Sequence, residues 1–156
     1  MTGEAAPLLA RVPPPAWAVL YLFCAAAIGI AFPDLEFMFL HQPWLGTVAI
    51  IVGVALTIGA MATFKRAGTQ ILPAAPVNDK LVESGPYRWT RNPMYLALVL
   101  VTTGIAFRFG MLPLFAVPVI VYFTNDRIVI PYEERKMETQ YGDTFRGYMT
   151  RVRRWI

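Results

Sequence analysis

Four apolar runs divide the chain, and the polar joints between them differ sharply in character. The first run, Ala16 to Phe32, carries no charge, and Trp17 and Tyr21 stand near its start as interfacial anchors of a membrane helix would. Pro33-Asp34-Leu35-Glu36 ends it, and the loop onward to Pro43 contains no Lys or Arg. The second run, Trp44 to Phe64, is about 20 residues, enough to span a bilayer, and stops at Lys65-Arg66. Its Gly46, Gly53 and Gly59, with Ala49, Ala55, Ala60 and Ala62, predict close helix packing.

Residues 67–92 then form a connector rich in Gly, Pro and Asn, too long for a tight hairpin, and loops of that length are usually functional. Pro93 predicts the first residue of a third helix, where its missing N–H costs nothing. That helix runs to about residue 108 and turns at Arg108-Phe109-Gly110 into a fourth from Met111. The apolar parts of these two helices are each about 14 residues, roughly 21 Å, short of the hydrocarbon thickness. Both are expected to extend beyond their apolar parts, the fourth through Asn125, Asp126 and Arg127 to about residue 138, with bends or breaks at Pro118 and Pro131. From Glu133 on the chain is basic and amphipathic. Its tail, 139–156, predicts a helix lying on an anionic membrane surface.

Composition agrees with this pattern. Of 156 residues, 56% are hydrophobic and 15% charged, and the mean hydropathy is +0.49. So few charges do not cover a soluble domain of this length. The expected fold is all-α: a single-domain polytopic membrane protein over 1–156, with about four transmembrane helices (16–32, 44–64, 93–108, 111–138) and a cytoplasmic amphipathic C-terminal helix.

The net charge of +4 fits a membrane surface better than nucleic acid, because the basic residues flank apolar runs. The lone Cys24 excludes an internal disulfide and reads as a core-like thiol, and the single His41 argues against a metal site. Of the 14 basic residues only Arg108 falls on the side that holds Asp34 and Glu36. The positive-inside rule therefore places both termini, the connector and the tail in the cytoplasm.

Two polar clusters converge on that face. One is the connector, with Lys80, Glu83, Tyr87, Arg88, Arg91, Asn92 and Tyr95; the other follows helix four, with Asn125, Asp126, Arg127, Tyr132, Glu133 and Glu134. A tight turn between helices three and four sets the start of one beside the end of the other, so cations and anions distant in sequence meet at the membrane surface.

The run Gly85-Pro86-Tyr87-Arg88-Trp89-Thr90-Arg91-Asn92-Pro93-Met94-Tyr95 resembles the signature of the integral-membrane methyltransferases. That superfamily includes isoprenylcysteine carboxyl methyltransferase and phospholipid N-methyltransferases. Its pattern continues after the next helix with a Glu-Glu pair, here Glu133-Glu134, and an aromatic-Gly…Tyr run, here Tyr141-Gly142 to Tyr148. The resemblance covers residues of about 63 to 153. It implies S-adenosylmethionine as methyl donor, held at the cytoplasmic boundary by Lys80, Leu81, Val82, Gly85, Tyr87, Arg91, Asn92, Tyr95 and Glu134.

In that reading Arg91 pairs with the donor's carboxylate through its planar fork, and Glu134 accepts its ammonium. Leu81, Val82 and Tyr87 offer surface for the adenine, and Gly85 lets backbone approach closely. Asn92 stands where many relatives carry His, and Asn cannot act as a base at neutral pH. Arg91, Glu133 and Tyr95 are the implied catalytic residues; an amine acceptor needs a proton acceptor, for which Glu133, Asp126 and Tyr95 are candidates. Arg146, Tyr148 and Arg151 would hold the acceptor, a lipophilic small molecule or a prenylated or lipid molecule reached through the membrane lipids. Neither nucleic acid nor metal is implied.

An isoprenylcysteine-carboxyl-like activity leads, with phospholipid amine N-methylation as the alternative. A small four-helix exporter is a reading of another class. It predicts an ionisable residue inside a span, and helices one and two contain none.

Overall fold

The computed structural model describes residues 12–35, 38–68 and 81–156. The lead up to Arg11, Glu36 in the acidic loop, and positions 69–80 of the connector, Lys80 among them, lie outside the described residues. Helices dominate: α1 (Pro14–Ala31), α2 (Pro43–Ala67), α3 (Pro93–Phe109), α4 (Leu112–Thr124), α5 (Ile130–Tyr141) and α6 (Asp143–Arg151). A 3-10 turn, Gly85–Arg88, precedes α3. No strand occurs among the described residues.

Every helix from α1 to α5 carries proline in its first turn. In α1 to α4 the ring presets φ and removes an N–H that has no partner inside the helix. The proline expected to open the third helix does so: Pro93 is the first residue of α3.

Three helical stretches, Pro14–Ala31, Pro43–Ala67 and Leu112–Tyr141, are long and apolar enough to cross a membrane. α3 is apolar but shorter, at 17 residues. Hydroxyls within the apolar helices bond to their own chain one turn back, Thr57 to Gly53 O, Thr63 to Gly59 O and Thr102 to Leu98 O. That removes the cost of carrying them into lipid.

α3 is central, with α2 on one side and α4 on the other, while α1 packs chiefly on α4. The α2–α3 seam is set by glycine. A Cβ on Gly104 would lie 2.6 Å from Gly46 O, and one on Gly53 would lie 2.9 Å from Ala97 O. The small residues of the second run do pack closely at these positions, and backbone meets backbone.

The α1–α4 contact changes two expectations. Trp17 is 4% exposed, packed with Val117, Val121 and Val129, so it is a core residue and not an interfacial anchor. Cys24 is exposed on α1 and is no core thiol. Both differences arise because hydropathy reports that a residue is apolar and not which side of its helix meets another helix.

α4 and α5 form one helical stretch of 30 residues. They are joined by a π turn, Asn125–Val129, in which the Ile130 N–H donates to Asn125 O, five residues back. Pro131 follows and has no N–H to offer Arg127 O, so the ladder is interrupted there. Pro118 sits buried within α4, which continues through it. The discontinuity therefore lies at the π turn ahead of Pro131 and not at Pro118.

The basic tail is not a single surface helix. Gly142, at φ +52, breaks it between α5 and α6, and after Arg151 the chain returns, with Val152 extended, to the start of α3.

Candidate active site

The return of the C-terminal segment Val152–Ile156 brings the two polar clusters together. Its backbone carbonyls face the residues before α3. The Arg91 N–H donates to Arg153 O at 2.9 Å. Thr90 Oγ1 and Asn92 Nδ2 both donate to Arg154 O at 3.0 Å. Arg91 Nη1 donates to Val152 O at 2.5 Å and to Met149 O at 3.2 Å. Three consecutive residues of the signature thus hold one segment of main chain.

The other arm of the Arg91 guanidinium pairs with Glu134, Nη2 to Oε1 at 2.8 Å, and both side chains are largely buried. Glu134 also receives Arg154, through Nη2 to Oε2 at 2.5 Å and Nε to Oε1 at 3.3 Å. Arg154 Nη1 reaches Asp126 Oδ1 at 3.2 Å, and Trp155 Nε1 donates to the same oxygen at 3.0 Å. Two arginines and two carboxylates form a balanced network, and hydrogen bonding to Glu134 holds Arg154 above its ordinary pKa. A buried charge is tolerable only with such partners. Trp155 completes the anchor by lying over Tyr122, ring centroids 4.8 Å apart and 33° between planes.

Glu133, the neighbouring residue on α5, faces elsewhere: its Oε1 accepts the Tyr95 hydroxyl at 2.7 Å. Consecutive helical residues point about 100° apart, so the Glu-Glu pair serves two separate partners on the first turn of α3 and just before it.

The residues assigned to the adenine form a small core. Val82 and Tyr87, each 8% exposed, pack with Ala60 of α2, with Phe64, Ala67 and Met94 around them. Tyr87 meets Phe64 edge-on at 5.2 Å. Gly85, at φ +59, lets backbone approach α2, where a Cβ would overlap the Thr63 hydroxyl. The close approach that its glycine permits is therefore to Thr63. Leu81, half-buried, leads into this core.

Tyr148 is buried too, and its hydroxyl donates to Tyr87 O at 2.7 Å, tying α6 to the 3-10 turn. Burial pushes both phenols above their ordinary values and keeps them protonated. Arg151 and Arg146 lie on the exposed side of α6. Arg151 pairs with Glu83 at 2.6 Å, and Arg146 with Glu138 at 2.7 Å and Asp143 at 3.0 Å.

The structure thus brings Arg91, Asn92 and Glu134 to one place and Tyr95 and Glu133 to a second beside it. Val82, Gly85 and Tyr87 lie behind, against α2, and Arg146 stands apart. Sequence reasoning assigned no site role to Thr90, Arg154 or Trp155. Arg154 reads there as one of several surface cations, and only an aromatic directly after an Arg-Arg pair hints that the segment is anchored.

A family model described as phospholipid methyltransferase matches residues 41–144 of the 156. The match takes in α2 to α5, with the signature at 85–95 and the Glu133-Glu134 pair. No curated protein and no solved structure matches the chain. With two thirds of its length matched, the chain belongs to the phospholipid methyltransferase family, a family of membrane methyltransferases.

Proposed function

We propose that the protein transfers a methyl group from S-adenosylmethionine to a lipophilic acceptor at the membrane–cytoplasm boundary, in the manner of isoprenylcysteine carboxyl methyltransferase. The observation that carries this reading is the Arg91–Glu134 pair, set where apolar helices meet a polar face and inside the family match. The residues suit the donor. Arg91 keeps one buried guanidinium donor, Nε, without a partner among the described residues, and a carboxylate is its natural acceptor. Glu134 presents a fixed carboxylate for an ammonium.

The donor, when bound, supplies an electrophilic methyl group on sulfur. What remains for the chain is to align the reacting groups and exclude water. Arg91, Asn92 and Glu134 act on the donor side, and Arg151, exposed on α6 beside Glu83, attracts an acidic acceptor. Tyr148, buried and bonded to Tyr87 O, holds α6 in place beneath them. A carboxylate acceptor needs no base.

A second reading, phospholipid amine methylation, is favoured by one specific contact. Glu133, bonded to Tyr95 at 2.7 Å, is a proton acceptor beside the donor cluster. The exporter reading has no support from the family match. Both termini and the site are proposed to be cytoplasmic in a multi-pass topology, because the basic residues gather at that end.

The test is calorimetry of S-adenosylmethionine with the detergent-purified protein, beside Arg91→Lys and Glu134→Gln. Binding that both variants weaken supports the reading, and no binding at millimolar donor by a folded protein sinks it. Labelled methyl transfer to a farnesylated cysteine or to phosphatidylethanolamine then decides between carboxylate and amine.

A further inference from the structure

The C-terminal segment carries a residue for which the reading above has no role. Arg154 lies outside the stretch that the family model matches, yet it bonds to both carboxylates of the charged network, whereas Arg91 bonds to Glu134 alone. It grips both oxygens of Glu134, at 2.5 Å and 3.3 Å. Its third nitrogen reaches Asp126 at 3.2 Å. Its own carbonyl is held from the opposite side by Thr90 and Asn92. The side chain is one third exposed, whereas Arg153 beside it is exposed and reaches only the carbonyl of Ile156, at 3.4 Å.

Such an arrangement does more than neutralise charge. A glutamate held by Arg91 alone would keep one oxygen and its terminal torsion free. Two nitrogens of one planar guanidinium on the two oxygens of the carboxylate fix its plane. Asp126 fixes the guanidinium in turn, and Trp155, sharing Asp126 Oδ1 and lying over Tyr122, fixes the segment.

We propose that Arg154 is a positioning residue: it sets the Glu134 carboxylate to receive the ammonium of the methyl donor, with Asp126 and Trp155 as its anchor. This rests on the donor-binding reading above. It adds that the extended C-terminal segment forms part of the donor site, through the orientation it imposes on Glu134. A residue that acts only on the ammonium should matter to ligands that carry one and not to ligands that lack it.

The experiment is calorimetry on the full-length, detergent-purified protein with two probes. S-adenosylhomocysteine carries the amino-acid moiety, and methylthioadenosine has the same nucleoside without it. The variants are Arg154→Gln, Asp126→Asn as a milder disturbance one step away, and Arg66→Gln, an exposed cation at the end of α2, as the control for lost charge. Arg154→Gln is expected to weaken S-adenosylhomocysteine by about tenfold or more, as loss of a charge-assisted hydrogen bond to the network requires, and to leave methylthioadenosine within about twofold. Asp126→Asn should act in the same sense by a smaller factor, and Arg66→Gln on neither probe. Equal weakening of both probes by Arg154→Gln and Asp126→Asn, or no weakening of S-adenosylhomocysteine, overturns the assignment of Arg154 and leaves the donor reading standing. Failure of the unaltered protein to bind S-adenosylhomocysteine overturns both.

Discussion

Arg91 and Glu134 stand 43 positions apart and share a 2.8 Å ion pair between the residue before one helix cap and the second turn of another helix. The same guanidinium also closes on two carbonyls of the returning chain. Arg91 is thus a structural keystone as well as a candidate ligand. Arg91→Ala should destabilise the protein by on the order of 3 kcal/mol, since it uncaps buried carbonyls and strips a partner from a buried carboxylate. Arg91→Lys should recover part of that loss. Thermal unfolding in detergent reads the difference, and a Tm unchanged in the alanine variant would refute the keystone role.

Variants of Tyr95 and Glu133 distinguish the two proposed acceptors. If Glu133 takes a proton from an amine, Glu133→Gln should lower kcat for phosphatidylethanolamine by about 100-fold. Tyr95→Phe, which removes the hydroxyl that orients Glu133, should follow in the same direction. A carboxylate acceptor should show little change in kcat with either variant. Steady-state kinetics on both acceptors separates the cases.

The π turn is the third lever. The Ile130 N–H now reaches five residues back to Asn125 O, so removing Ile128 would put it four residues back and close the turn as ordinary α-helix with α5 left in its present register. Glu133 and Glu134 should then keep Tyr95 and Arg91. Helical content by circular dichroism and donor binding should both hold. Loss of binding by the folded deletion variant would show that the wide turn itself is needed, and not only the register it sets.

Gly104 tests the seam. Gly104→Ala puts a methyl 2.6 Å from Gly46 O, where only backbone could yield. We expect a loss of roughly 1–3 kcal/mol, and a larger one for Gly104→Val. Gly147, where an added Cβ would meet only the end of the flexible Arg151 side chain at 3.9 Å, should accept alanine with little effect on the thermal midpoint.

Arg151 gives the contrasting case. Its pair with Glu83 is short but its side chain is 63% exposed, so Arg151→Ala should change stability by no more than about 0.5 kcal/mol. An acceptor role should appear instead as a raised KM for an acidic acceptor, with donor affinity kept.

The apolar helices were legible because length and apolarity alone define them, though of the four expected spans α3, at 17 residues, is too short to count with the three stretches long enough to cross. Pro93 marked the start of α3 for a local reason, its missing N–H. The meeting of Arg91 with Glu134 was legible too, since a tight turn after α3 leaves few other places for the two clusters. The hold on Arg91, Thr90 and Asn92 was not. Its acceptors are main-chain carbonyls of residues 149–154, which every sequence possesses and none advertises. Gly85 and Tyr87 were read toward a ligand but lie against Thr63 and Phe64, because packing partners on α2 leave no periodic trace in a connector. Trp17 escaped for a similar reason: which face of α1 meets α4 depends on docking between helices.

The adjacency of Glu133 and Glu134 has an evolutionary consequence. Glu134 is locked by two arginines, one of which also holds Asp126, so a change there disturbs several partners at once. Glu133, the residue before it, answers to the Tyr95 hydroxyl. Selection for a new acceptor can therefore work on Glu133 and Tyr95 while the Arg91–Glu134–Arg154 circuit stays as it is, so one scaffold can diversify its chemistry without rebuilding the part that holds it together.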